Sequence, residues 1–552
     1  MTHLSPRPPR LTATGLVVDG KPFTVLGAEI HNSSSSTINA ITESFERVRR
    51  LGANTVLAPI AWDLFEPEEG TFDTTLIDAM LDQAERHGLR LIPLWFGSWK
   101  NGQSSYVPAW VKQDSVRFSR AESLSEGRVE HLSPYCLQSR AADARAFLAL
   151  MEHCAAADSH GTIIMVQVEN EVGLLGDSRD RSALAEAAWE SAVPGRVLDA
   201  LADAAGTPVH TDWRSRGSST EGSWSELFGD TPQSHEAFMA HAYAGYIEAV
   251  ASAGRSAFDV PLFVNAWLDN SASDSPQPAL SRIDPSDATT EVAFAGGALP
   301  GSYPSGGPLP RVSSIWRTLA PTLDILAPDY YFGDPHTIFS DFTRASGHLL
   351  IPEMRRSTLG VGHMFLAIGE YDAIGVSPFG VDSIQHGDTD EAALTDGYAL
   401  LSHAIALRDE AKSTETHAFV LTEDRHQVSF SLGSYVVDVS SKDSFGLFEP
   451  TWPAYGIVLH ESDGQLVAIG RGFTLSFAAA EGSDLKAGIL SADELSQRPT
   501  GETVVARRWN GDETASGHGI RVPPLRPPAR SEFPIPLMHA STGAVRIRLY
   551  HY

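Results

Sequence analysis

At 552 residues the chain is too long for one ordinary hydrophobic core, so at least two domains are expected. A hydrophobic fraction of 42% and a charged fraction of 20% are those of a globular protein, and no run of roughly 18 apolar residues is present to span a membrane. The formal net charge of -28 excludes nucleic acid, anionic membrane and polyanions as natural partners and fits a neutral ligand better.

The first residues, MTHLSPRPPRLTATG, carry basic charge with no apolar stretch behind it. They do not read as a secretory signal, which makes the cytoplasm the default location. From about residue 22 to 390, short apolar runs alternate with amphipathic stretches, the pattern of a parallel sheet with crossover helices. FTVLGAEI (23–30) leads to the helix-like SFERVRRLG (44–52), and NTVLAPI (54–60) leads to LIDAMLDQAERHG (76–88). LRLIPLWF (89–96) precedes ARAFLALMEHCAAA (144–157), and TIIMVQVEN (162–170) precedes HEAFMAHAYAGYIEAVASAG (235–254). VPLFVNAW (260–267), LDILAPDYY (323–331), HLLIPE (348–353) and AIGVSPFG (373–380) complete eight strand candidates. Eight strands, most of them followed by a helix, predict a closed (β/α)8 TIM barrel rather than an open sheet. The length beyond the usual barrel falls in 173–234 and 268–311, after the fourth and fifth strands, on the face where barrel enzymes build their sites.

A helical stretch at 391–412 closes this region, and beyond about 414 the apolar pattern changes to period two. HAFVLTE, QVSFSLGSYVVDVS, AYGIVLHES, QLVAIGRGFTLSF and AVRIRLYHY read as strands, with Asp463-Gly464 and Asn510-Gly511 as hairpin turns. The predicted fold is therefore α/β: a barrel over 1–413, followed by a smaller all-β, sandwich-like domain over 414–552. Cys136 and Cys154 are too few for a disulfide framework and lack zinc-site spacing, so both read as reduced structural residues.

The strongest chemical signal is Val166-Gln167-Val168-Glu169-Asn170-Glu171, an apolar strand ending in three polar residues. Burying such groups in a core costs several kcal/mol each without partners, whereas a strand tip points them into a barrel site. Regular alternation would put Glu169 and Glu171 on one side and Asn170 on the other. Cleaving a glycosidic bond needs one acid to protonate the leaving oxygen and one carboxylate to attack the sugar carbon. Glu171 suits the first role. Glu353, ending HLLIPE, suits the second, although Glu29 and Glu66 also follow apolar runs. Aromatic residues crowd the same tips: Trp62, Trp95, Trp99, Trp267, Tyr330, Tyr331 and Phe379. Sugar rings stack their C–H faces on such groups. No HExxH, Walker, GxGxxG or GxSxG pattern occurs, and no metal or organic cofactor is implied.

Trp62-Asp63-Leu64-Phe65-Glu66-Pro67-Glu68-Glu69-Gly70-Thr71-Phe72-Asp73 resembles the W-x-x-x-E-P-x-x-G-x-F-D segment of clan A glycoside hydrolases. Val166 to Glu171, continuing to Gly173, resembles the V-Q-x-E-N-E-x-G segment of family 35, the β-galactosidases. Tyr303 to Pro308 and Gly375 to Gly380 resemble a bacterial branch with a shorter β-rich tail. The resemblance covers about residues 15 to 390 and the tail only loosely. It implies a retaining mechanism, with Glu171 as acid/base, Glu353 as nucleophile, Asn170 on the sugar 2-hydroxyl and Tyr331 orienting the nucleophile. The chain departs from the family after strand three, where Gly97-Ser98-Trp99-Lys100-Asn101-Gly102 stands in place of an Ala-Glu pair that binds galactose hydroxyls. Strand one ends Ala28-Glu29-Ile30-His31-Asn32, so Glu29 is a candidate for that contact.

The expectation is a retaining exo-β-glycosidase, in first place a β-galactosidase, releasing a terminal non-reducing sugar by double displacement. Glu171 and Glu353 are its catalytic candidates. Glu29, Asn170, Trp62, Trp95, Trp99, Trp267, Tyr331 and Phe379 are its substrate-binding candidates. Specificity for another β-linked sugar and carbohydrate binding without turnover are the competing readings. The expected partner is a carbohydrate, with neither nucleic acid nor membrane, and self-association is left open.

Overall fold

The computed structural model describes residues 8–202, 204–269, 297–411, 415–442, 450–498, 500–526 and 541–552. Contacts divide the chain into two compact units. The first comprises Met1–Arg49, Ala53–Met354 and Ile374–Ser383, and the second Arg50–Gly52, Arg355–Ala373 and Ile384–Tyr552.

The first unit is built on a closed barrel of parallel strands: β1 (Val25–Glu29), β2 (Thr55–Ala61), β3 (Arg90–Phe96), β4 (Val166–Val168), β5 (Leu262–Trp267), β6 (Ile325–Tyr330), β7 (Leu350–Met354) and β8 (Gly375–Pro378). They pair in chain order, and β8 returns to β1. Each candidate run of the sequence overlaps one of these strands, with β2 and β7 ending one residue beyond their runs. The runs are nearly continuous in apolar residues because a parallel strand is covered on both faces, as the burial of Thr55 to Ile60 shows. The helix Thr75–His87 illustrates the other half of the pattern. Ile77, Met80, Leu81 and Ala84 face inward at helical spacing, and Gly88 ends the helix at φ 65, where a side chain would be strained.

A small antiparallel sheet of Arg10–Thr12, Gly15–Val18 and Lys21–Pro22 precedes β1. Its Leu16 and Val18 join Val25, Leu57, Ile92, Phe263 and Leu350 in the barrel core, closing the end away from the strand tips. The long segment after β4 folds into four short helices, Ala183–Glu190, Gly195–Ala202, Pro208–Ser215 and Trp224–Phe228. Most of the predicted long loop after β5 lies outside the described residues.

The second unit is built on two antiparallel sheets. Six strands run in the order Thr416–Leu421, Ala454–Ser462, Gln465–Arg471, Ala544–His551, Ala487–Gln497, Thr503–Trp509. Four run Gln427–Leu432, Tyr435–Ser440, Phe473–Ala479, Ile520–Val522. Phe419, Val437, Leu466, Leu475, Trp509 and Ile547 share the core between them. The helix Thr358–Glu370 belongs to this unit: Phe365 packs on Tyr455, and Gly369 lies so close to Ala418 and Ile457 that a Cβ would sit 2.7 Å from each. Asp463-Gly464 makes the two-residue hairpin turn expected of it. Asn510-Gly511 does not. It opens the 3-10 segment Gly511–Gly517, with the Asn510 side chain accepting from the Gly511 N–H. Cys136 and Cys154 are both buried and unpaired. Among the described residues no helix is long and apolar enough to cross a membrane.

Candidate active site

Strand β4 stops at Val168, and the residues beyond it leave the extended conformation. Glu169 and Glu171 sit at φ 61 and φ 47, left-handed values that L-residues adopt at a cost of about 1–2 kcal/mol. The expected alternation therefore fails, and the two acids enter different surroundings. Glu169 turns into the protein and accepts the backbone N–H groups of Ser98 and Trp99 at 3.0 and 2.8 Å. Glu171 stays at the strand tips, between Asn265 and Asn101. Its N–H donates to Asn265 Oδ1 at 2.9 Å, and its Oε2 accepts from Asn101 Nδ2 at 2.7 Å. Gly173 ends this segment because nothing larger fits: its φ is 137, and a Cβ would lie 2.6 Å from Pro304. That contact joins the family-like segment at β4 to the Tyr303–Pro308 segment, whose Tyr303 hydroxyl donates to Glu236 at 2.8 Å.

Glu353, near the end of β7, pairs in register with Asp329 of β6. It is 6% exposed. Its Oε1 accepts the Tyr331 hydroxyl at 2.7 Å, while Oε2 has no hydrogen-bond partner among the described residues. Asp329 in turn accepts from Asn265 Nδ2 at 2.6 Å, so one asparagine links the backbone of Glu171 to the carboxyl beside Glu353. Glu29, at the end of β1, is buried with Oε1 unpartnered among the described residues. Asn170 is fully buried with neither end of its amide partnered there.

Electrostatics tie these groups into one site. Burial, and then the charge of Glu353, push the Glu171 carboxyl up to about 7, against the pull of Lys100. Burial and Glu353 likewise hold Glu29 and Asp329 well above the ordinary carboxylate range. Burial alone would lower the Lys100 ammonium, but Glu353, Glu171, Glu29 and Asp329 outweigh it and leave it raised. Four acids and one base thus share one desolvated cluster, where like charges cannot all ionise together. The arrangement can keep one carboxyl protonated beside another that is not.

The aromatic candidates divide. Trp267, Tyr331 and Phe379 are half-buried, and the Trp267 indole N–H is buried without a partner among the described residues. Phe379 packs against His31 at 5.2 Å. Trp62, Trp95 and Trp99 are completely buried, with no face left for a sugar. Their indole N–H groups donate to Glu66, Asp143 and the Leu132 carbonyl, and their rings pack on one another and on Trp110, Phe147, Tyr243 and Tyr246. Tyr330 is also core, its hydroxyl donating to Gly333 O. Glu66 is a clamp: it accepts from Trp62 Nε1 at 2.8 Å and Gly70 N at 2.7 Å and pairs with Arg145 at 3.1 Å.

Four pocket residues were missed in the sequence: Lys100, Asn101, Asn265 and Asp329. Asn265 and Asp329 carry the same signal that singled out Glu171, a polar side chain ending an apolar strand. Lys100 and Asn101 lie in an irregular loop and carry none.

Residues 15–211 match the model for glycosyl hydrolases family 35, and residues 394–521 match a domain of unknown function, DUF5597. A β-galactosidase of Xanthomonas manihotis is 32% identical over 174 residues, which is 30% of this chain and 26% of that protein. The chain thus matches only about a quarter of that relative's length. Among solved structures, a β-galactosidase from the psychrophilic Marinomonas ef1 aligns at 13% identity and TM-score 0.45, over 70% of this chain and 60% of its own. One from Rahnella sp. R3 aligns at 14% and 0.45, over 69% and 56%. Residues 15–211, which hold strands β1 to β4 and Glu171, are thus similar to glycosyl hydrolases family 35.

Proposed function

We propose that the protein is a retaining exo-β-glycosidase, and specifically a β-galactosidase that releases terminal non-reducing β-D-galactose from oligo- or polysaccharides. In this reading Glu353 attacks the anomeric carbon while Glu171 donates its proton to the leaving oxygen. Glu171 then takes a proton from water, which hydrolyses the glycosyl-Glu353 ester with the configuration retained. Residues 1–413 carry the chemistry, and residues 414–552 are accessory.

What supports this reading is that Glu171 and Glu353 are both buried at strand tips and are linked through Asn265, which holds the Glu171 backbone, and Asp329, which pairs in register with Glu353. Glu353 helps raise its partner to about 7, which suits an acid that must hold its proton near neutrality. The Tyr331 hydroxyl fixes one oxygen of Glu353 and leaves the other for the sugar carbon. Glu29, Asn170 and Trp267 each present a buried polar atom without a partner among the described residues. An unmade buried hydrogen bond costs about 1–3 kcal/mol, and sugar hydroxyls are both donors and acceptors. Galactose is proposed from the name and family of the relatives. The segment Gly97 to Gly102, standing where better-known family members have an Ala-Glu pair, favours a different β-linked sugar as the second reading.

A panel of aryl β-glycosides differing only in the sugar separates the two. Fastest turnover of the galactoside, with the β-anomer formed first by NMR, supports the proposal. Preference for another sugar moves it to the second reading. Initial formation of the α-anomer rules out the retaining mechanism.

A further inference from the structure

Behind the pocket wall lies a buried polar cluster that the proposed reaction does not use. It joins Asp143 on the helix Leu137–Ala157, Glu169 beyond β4, Ser98 after β3 and Tyr246 on the helix Pro232–Ala257. Asp143 accepts from Trp95 Nε1 at 2.9 Å, from the Ser98 hydroxyl at 2.6 Å and from Ser98 N at 3.2 Å. The Ser98 and Tyr246 hydroxyls lie 2.7 Å apart. The two oxygens of Glu169 each take one backbone N–H, those of Ser98 and Trp99. Gly97 enters the cluster where a Cβ would lie 2.3 Å from Trp95 Nε1 and 2.4 Å from Glu169 Oε1. Burial, and then Asp143, push the Glu169 carboxyl well up.

From this anchor the chain runs through residues 99–102 into the pocket. Trp99 O accepts from Asn170 N at 3.3 Å, and Gly102 N donates to Glu171 O at 3.1 Å. Gly102 O accepts from His131 Nδ1 at 2.9 Å. Between these ties Asn101 sits at φ 52 and sends its amide to Glu171 Oε2. The segment is thereby held at both ends, with Lys100 and Asn101 between.

We propose that Glu169, with Asp143, is a positioning residue for Glu171: it clamps the backbone at Ser98 and Trp99 so that the Asn101 amide meets the Glu171 carboxyl. A buried acid that served only to fill the core would have no reason to spend both oxygens on consecutive amides of the loop that touches Glu171. The consequence for rate rests on the acid role proposed for Glu171. The positioning does not, and it can be read without turnover.

The readout is the titration of Glu171 by infrared difference spectra of each protein against its own Glu171→Gln counterpart. The groups facing Glu171 (Glu353, Lys100, Asp329, Glu29 and Asn101) are otherwise kept. Asn101→Ala is expected to raise the Glu171 midpoint by about one pH unit, the size of a lost hydrogen bond to a charged group. Glu169→Ala is expected to raise it comparably, and the double variant no further, since both act through one contact. Glu169→Gln keeps an acceptor for Trp99 N–H and a donor towards Asp143, and is expected to restore most of the shift. Should Glu169→Ala fail to fold, Glu169→Met, which fills the same space but accepts from neither N–H, carries the same expectation. A Glu171 midpoint left at the wild-type value in the folded clamp variants while Asn101→Ala moves it, or full additivity in the double variant, overturns the proposal. Lack of glycoside turnover by the wild-type chain would instead sink the hydrolase reading and leave this result standing.

Discussion

The Tyr331 hydroxyl donates to Glu353 Oε1 at 2.7 Å, and burial together with Glu353 pushes that hydroxyl's ionisation up, so Tyr331 keeps its proton and stays a donor. A hydrogen bond to a charged group is worth about 1.5–3 kcal/mol. Tyr331→Phe, which keeps the ring, is expected to lower kcat by about 10–100-fold with a small change in KM. Steady-state kinetics on one aryl glycoside checks it. A loss in KM alone would mean that Tyr331 binds substrate and does not set the nucleophile.

Glu171 gives the activity a basic limb. Its carboxyl is raised to about 7, so kcat/KM is expected to fall as pH rises through about 7 and the acid loses its proton. A pH–rate profile of the wild-type protein checks it, and a flat profile from pH 6 to 8 would exclude Glu171 as the acid.

The same shift has a consequence for stability. A carboxyl raised on folding binds more protons in the folded than in the unfolded state between its ordinary value of 4.5 and about 7. Its contribution is therefore complete below the ordinary value and lost as pH rises through about 7. Glu171→Gln removes that loss and still offers Asn101 an acceptor. It is expected to melt a few degrees above wild type at pH 8 and close to it at pH 4.5. Calorimetry at the two pH values decides, and a lower melting point at pH 8 would contradict the account.

Glu66 belongs to a family-like motif yet touches no pocket group. Glu66→Ala strands Trp62 Nε1 and Gly70 N and frees Arg145. The expected loss of stability is about 3 kcal/mol by urea unfolding. Activity per folded molecule is expected to stay near wild type, and a selective loss of kcat would assign Glu66 a role in the chemistry.

The barrel was legible because parallel strands covered on both faces leave apolar runs such as Thr55–Ala61 that few other elements produce. The strands Ala487–Gln497 and Thr503–Trp509 were not, because their polar residues hide the pattern. Asp493 pairs with Arg508 at 2.6 Å across them, and Glu494 is buried against the Thr542 N–H. The short strands before β1 are too brief to show a period. For the proposed site, Glu171 and Glu353 could be named as candidates because an acid ending an apolar run has to be accounted for, and the family resemblance set Glu353 apart from Glu29 and Glu66. Trp62, Trp95 and Trp99 misled because a residue at a strand tip can face either side. Trp95 faces outward, onto Phe147 of the helix Leu137–Ala157. Lys100 and Asn101 depend on a loop whose course is set by Glu169, far along the chain, and local sequence holds no trace of that tie.

The most direct test labels the nucleophile. A 2-deoxy-2-fluoro-β-galactoside with an activated leaving group forms the glycosyl ester and hydrolyses it slowly, so the modified peptide can be found by mass spectrometry after digestion. The expected adduct sits on Glu353 and is absent from the Glu353→Gln variant. An adduct on Glu29 or any other carboxyl, or steady turnover of ordinary substrate by Glu353→Gln, would contradict the assignment.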